Sequence, residues 1–202
     1  MIKIRAIFTL TFLLLLSCSE SAETLLIEEQ QEDIVKFLTS SHSPTLIDEG
    51  EIAESLEDDP EFFTTYGNTA YRYIADFYNP EREERKEVKA GSILSLTFWC
   101  YDFSTYSKPT SDYLFYTNDP LYKEAFELAG LNTEYWSFEP LNITLGKGDI
   151  LKAIETSLVS CREGDYVEIY LTYNLAYGSS WIGLTSFEAP IAFFCTIDSI
   201  EN

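Results

Sequence analysis

The stretch LNITLGKGDILKAIETSLVSCREGDYVEIYLTYNLAYG, residues 141 to 178, decides the fold class. Leu141 to Leu145 reads as a short strand that ends in the turn Gly146-Lys147-Gly148. Asp149 to Val159 follows as a helix, with Asp149 placed to cap its first turn. Arg162-Glu163-Gly164-Asp165 is a second turn. Beyond it, Tyr166 to Tyr173 sets Val167, Ile169 and Leu171 against Glu168, Tyr170 and Thr172, the period-2 alternation of a strand with one apolar face. A loop from Asn174 to Ala189 and a strand from Pro190 to Ile200 complete this region.

The segments before it extend the same pattern. Tyr71 to Tyr78 is rich in aromatic residues and closed by Asn79-Pro80, so it reads as a strand. Glu81 to Lys89 is charged and reads as an exposed turn. Gly91-Ser92 then leads into a long strand carrying Ile93, Leu94, Leu96, Phe98 and Cys100. Between Lys108 and Pro140 the pattern is irregular. It holds a short strand, Tyr113 to Thr117, a helix from Pro120 to Leu128 that stops at Gly130, and the aromatic loop Tyr135-Trp136-Ser137-Phe138. Many strands joined by short turns around one good helix predict an α+β domain, an antiparallel sheet wrapped over that helix.

Nearer the start, Ile27, Ile34, Val35 and Leu38 share one face of a helix whose other face is Glu28, Glu29, Gln30, Glu32 and Asp33. Such a helix can pair two copies or pack on the domain, and the pattern allows both. Ser40 to Pro60 is polar and acidic and reads as a solvated linker. At the very start, Lys3 and Arg5 precede the apolar run Ile7 to Leu16, which is too short to span a bilayer. Leu15-Leu16-Ser17-Cys18 has the form of a lipobox. The expectation is a signal peptide over residues 1–17, removed to leave Cys18 as a lipidated first residue whose several acyl chains anchor it firmly. The plain alternative is a signal peptide with an incidental cysteine, but small Ser17 and aliphatic Leu15 stand where lipoprotein processing needs them. The expected organisation is therefore residues 1–17 as signal, 18–66 as an N-terminal extension, and 67–202 as one α+β domain with an insertion at 108–139.

Composition narrows the chemistry. A net charge of −21 repels nucleic acid and anionic headgroups, so neither is an expected partner. Cys100, Cys161 and Cys195 lie in apolar strand or helix contexts and read as buried thiols, although an oxidising envelope permits one disulfide. No Cys-x-x-Cys spacing occurs, and His42 is the only histidine, so a zinc site or a histidine-based triad lacks its ligands. With no Gly-rich phosphate loop either, the sequence points to no metal and no cofactor.

Leu145-Gly146-Lys147, Ile150-Leu151, Glu163-Gly164-Asp165, Leu175-Ala176-Tyr177-Gly178 and Phe193 stand in one order and spacing. In this the run from Leu141 to Ile200 resembles the C-terminal half of the FKBP-type peptidyl-prolyl isomerases, and Gly91-Ser92 with Leu96-Thr97-Phe98 resembles an earlier strand of that family. The resemblance implies an FKBP-like fold and a pocket built from Phe98, Phe115, Leu141, Ile150, Leu151, Ile154, Tyr177 and Phe193. Tyr177 would offer a phenol donor, with Phe115 and Tyr116 beside it. Active members carry an aspartate after the phenylalanine of the strand here represented by Phe115. In this chain Tyr116 occupies that place, unless the register slips and Asn118 or Asp119 takes it over. Ile154 and Leu141 replace aromatic residues. The same aliphatics would also build the core of any α+β domain. Two functions follow as expectations: a prolyl isomerase of the cell envelope, anchored through Cys18 and acting on proline-containing segments of exported proteins, or a degenerate FKBP-like domain that binds a peptide or protein partner through Trp136, Trp181 and nearby tyrosines.

Overall fold

A computed structural model describes residues 22–132, 134, 136–179 and 185–202. The expected signal segment, Cys18, Tyr135 and Trp181 lie outside the described residues. Helix α1 spans residues 22–40. The strands are β1 Ile47–Asp48, β2 Phe62–Tyr66, β3 Ala70–Ile74, β4 Ile93–Asp102, β5 Leu114–Thr117, β6 Leu141–Thr144, β7 Tyr166–Leu171 and β8 Ile191–Glu201. Helix α2, Lys123–Leu128, lies between β5 and β6, and α3, Lys152–Leu158, between β6 and β7. The fold is α+β. All eight strands form one sheet in the order β1-β2-β3-β7-β8-β4-β5, with β6 on the free edge of β4. The sheet is mixed rather than wholly antiparallel, because β1 runs parallel to β2 after a 3-10 turn at Glu49–Glu54.

Period-2 alternation sorts the side chains to two faces, and both faces are covered. Leu94, Leu96 and Phe98 of β4, Val167 and Ile169 of β7, and Phe193 and Ile197 of β8 pack with Ile154 and Leu158 of α3. The alternate residues Tyr71, Tyr73, Tyr170, Ala192 and Phe194 pack with Ile34, Phe37 and Leu38 of α1. The second face of β7, read as polar from its sequence, is thus a core face. Tyrosine is apolar over most of its area, and α1 supplies the cover. Packing against this sheet is the fate of the amphipathic helix. Residues 22–66 contribute α1, β1 and β2 to the same layered structure, and the acidic segment expected to be a linker buries His42 and Leu46.

Three local features also depart from the sequence reading. The charged run after Asn79-Pro80 is not simply exposed: Arg82 is buried and holds Asp165 through Nε at 2.9 Å and Nη2 at 2.8 Å. Asp149 does not cap α3, because its Oδ2 accepts the Thr144 N–H at 2.8 Å and the helix starts at Lys152. Instead Glu155 reaches back, its Oε1 accepting the N–H groups of Gly146 and Gly148 at 3.1 Å each. Those two glycines have φ of +90° and +80°, which fits only residues without a Cβ to this turn.

The free edge of β4 is shared. β6 pairs Ile93 to Leu96, and β5 pairs Trp99 to Tyr101. The gap is filled by a buried side chain: Asn118 Oδ1 accepts the Phe98 N–H at 2.8 Å, and its Nδ2 donates to Leu96 O at 2.8 Å and Glu139 O at 3.0 Å. Thr117 Oγ1 donates to Phe98 O. An amide side chain therefore stands in for a missing strand, meeting the need of buried backbone groups for partners.

Candidate functional site

The predicted site residues gather on the α3 side of β4. Phe98 and Cys100 point there by alternation, and Phe98 stacks on Phe193 of β8 with centroids 5.5 Å apart and planes inclined by 16°. In β5, Tyr116 pairs with Cys100 and Leu114 with Tyr101, so Phe115 is the extra residue of a bulge. The bulge turns two consecutive rings to one side: Tyr116 meets Phe98 edge-on at 4.9 Å, and Phe115 meets Tyr177 at 6.1 Å. No periodicity in the sequence announces this bulge.

Tyr177 comes from the loop after β7. The chain there makes a 3-10 turn at Tyr173–Leu175, and the Gly178 N–H donates to Tyr173 O at 2.8 Å with φ of +60° at the glycine. Gln30 of α1 clamps this loop at both ends. Its Oε1 accepts the Tyr173 N–H at 2.8 Å, and its Nε2 donates to Glu188 O at 2.9 Å. In the sequence nothing distinguishes Gln30 from the acids around it on the polar face of an amphipathic helix. The Tyr177 phenol faces the Cys100 thiol, and burial pushes both groups above their ordinary pKa, so both stay protonated at neutral pH.

Leu141, opposite Leu96, and Ile150 and Leu151 before α3 pack half-buried against the same core. Ile154 belongs to the core itself at 2 % exposure, as do Phe98 at 2 %, Phe193 at 3 % and Phe115 at 6 %. Tyr116, at 43 %, is the exposed ring of the group. Outward from it, the insertion adds Trp136 at 4.9 Å from Tyr116, and Phe126 at 5.8 Å from Trp136. Asn118 and Asp119 are both engaged with partners at the edge of β4. Asn118 bridges the edge of β4, while Asp119 accepts Trp99 Nε1–H at 3.0 Å and the Leu121 N–H at 2.9 Å. A polar side chain beside a backbone edge finds its partners there.

Cys100, Cys161 and Cys195 are free and buried. Burial raises all three thiols, Cys161 to about 11, so none of them is a thiolate nucleophile at neutral pH. No helix among the described residues is long and apolar enough to cross a membrane. No protein-family model matches the chain, and no curated protein is significantly similar to it. The class that fold and site define is an α+β protein whose single sheet carries, on its α3 side, an aromatic cluster with a phenol at its edge.

Proposed function

We propose that this protein is an FKBP-like peptidyl-prolyl cis-trans isomerase of the cell envelope, anchored through Cys18 and acting on proline-containing segments of exported polypeptides. The observation that carries this reading is the convergence of Phe98, Phe115, Tyr116, Phe193 and Tyr177 from separate strands and a loop. Amide rotation meets a barrier of about 18–20 kcal/mol because it destroys resonance, and it needs no acid, base or nucleophile. A dry aromatic wall binds the twisted, less polar amide better than the charge-separated planar one, which lowers the barrier. Tyr177 suits the role of donor to the substrate carbonyl. Its present neighbour is the Cys100 thiol, a weak partner that a carbonyl oxygen readily replaces. Tyr116 takes the place of the family's acid and contributes a ring, not a charge.

A second reading, a domain that binds such segments without turnover, is favoured by the burial of the phenylalanines and by the engagement of Asn118 and Asp119. A protease-free prolyl isomerisation assay on the full chain decides between the two. The expected result is acceleration that falls about tenfold in Tyr177→Phe, the loss of one hydrogen bond. No acceleration by folded protein, with retained binding of the proline peptide, would move the site to the second reading. Absence of both acceleration and binding would overturn both.

A further inference from the structure

On the opposite side of the sheet, between the loop after α1 and the outer faces of β4, β7 and β8, lies a cavity of about 290 Å³. Its walls are aromatic. Phe194 sits among three tyrosines, with centroids 5.3 Å from Tyr101, 5.7 Å from Tyr170 and 6.2 Å from Tyr166. Besides the tyrosine hydroxyls, its polar groups are His42, Ser43 and Glu168 on the wall and Lys108 at the exposed rim. His42 Nε2 and the Tyr170 hydroxyl both bond to Oε2 of Glu168, at 2.9 Å and 2.5 Å, which leaves Oε1 for another donor. The Tyr101 and Tyr166 hydroxyls make no hydrogen bond to a side chain or backbone group among the described residues.

We propose that this cavity binds one neutral hydroxylated ring, a sugar residue, with its apolar face against the tyrosine and Phe194 rings and its hydroxyls on Glu168, Tyr101, Tyr166 and Lys108. The charges argue for a neutral ligand. A cationic ligand would need an uncompensated carboxylate inside the aromatic walls, but Glu168 is already bonded to His42 and Lys108 adds positive charge. An anion would find the Glu168 charge already balanced by His42 and only Lys108 uncompensated, at an exposed rim where solvent screens it. A hydroxyl, which both donates and accepts, matches the mixture of donors and acceptors present. The volume lies at the small end of ligand sites, which limits the occupant to a single ring. None of these residues belongs to the Tyr177 cluster, so the site is independent of the isomerase reading.

Saturation-transfer NMR on the full chain, kept in a detergent without sugar groups, tests the proposal with D-glucose, D-galactose, D-mannose, L-fucose and N-acetyl-D-glucosamine. At least one of these sugars should receive saturation. Its affinity should fall about fivefold in Tyr166→Phe and in Tyr101→Phe, each of which removes a hydroxyl and keeps the ring. Silence from all five sugars would overturn the proposal, as would affinities unchanged in both variants. Choline, run as a sixth probe, should stay silent; a stronger response to it than to any sugar would make the cavity a cation cage and defeat the assignment.

Discussion

At the scale of single residues, the consequential finding is how buried charges are held. His42 meets an acceptor at each ring nitrogen, Pro44 O at 2.5 Å from Nδ1 and Glu168 Oε2 at 2.9 Å from Nε2. A neutral imidazole has one N–H, so only the imidazolium satisfies both. Burial opposes the charge, but the Glu168 bond, the Pro44 carbonyl and the Glu168 charge together outweigh it, and the pKa rises above 6.5. A folded pKa raised above the unfolded value gives stability that is complete below about pH 6.5 and lost as pH climbs through the raised value. The urea midpoint should therefore fall across that window, and His42→Gln should flatten the fall. Arg82 and Asp165 make a different case, since their side chains are only 4 % and 1 % exposed. Asp165→Asn leaves the guanidinium buried without its counter-charge and should lower unfolding free energy by about 3–5 kcal/mol, read by urea denaturation.

At the scale of elements, two side chains do what backbone does elsewhere. Asn118 closes the gap between β5 and β6, so Asn118→Ala should strip protection from the Phe98 amide in hydrogen exchange and cost about 2–4 kcal/mol, a buried donor and acceptor being left without partners. Gln30 ties α1 to the loop that presents Tyr177. In Gln30→Ala the Tyr173 amide should exchange faster while the amides of β8 stay protected, because only the loop loses its anchor. The elements themselves were largely legible: β4, β7, β8 and α3 fall where periodicity and glycine turns put them, to within a few residues. The bulge at Phe115, the Asn118 bridge and the Gln30 clamp were not, since each depends on partners distant in sequence.

At the scale of the whole molecule, the sheet is a middle layer. With α3 on one side and α1 on the other, each helix keeps water from the face it covers, so α1 is part of the core. Ile34 of α1 is fully buried against the sheet, and Ile34→Ala should destabilise the chain by about 2–5 kcal/mol in urea unfolding. The layering also separates two aromatic sites, the Tyr177 cluster on the α3 side and the Phe194 cavity on the α1 side. Alternation along β4 and β8 feeds both, with Phe98 and Phe193 turned one way and Tyr101 and Phe194 the other.

Legible from the chain alone were the α+β class, the strand and helix that flank Gly146, and the buried character of the three thiols. These follow from local properties: residue volume, period and the backbone freedom of glycine. That α1 covers the sheet, that β1 adds in parallel, that Arg82 and His42 are buried with partners, and that Asn118 and Asp119 are spent on the edge of β4 became visible only in the folded chain. Each of those outcomes is set by which distant groups meet once the sheet closes, and a buried polar atom takes whichever partner the packing brings within reach.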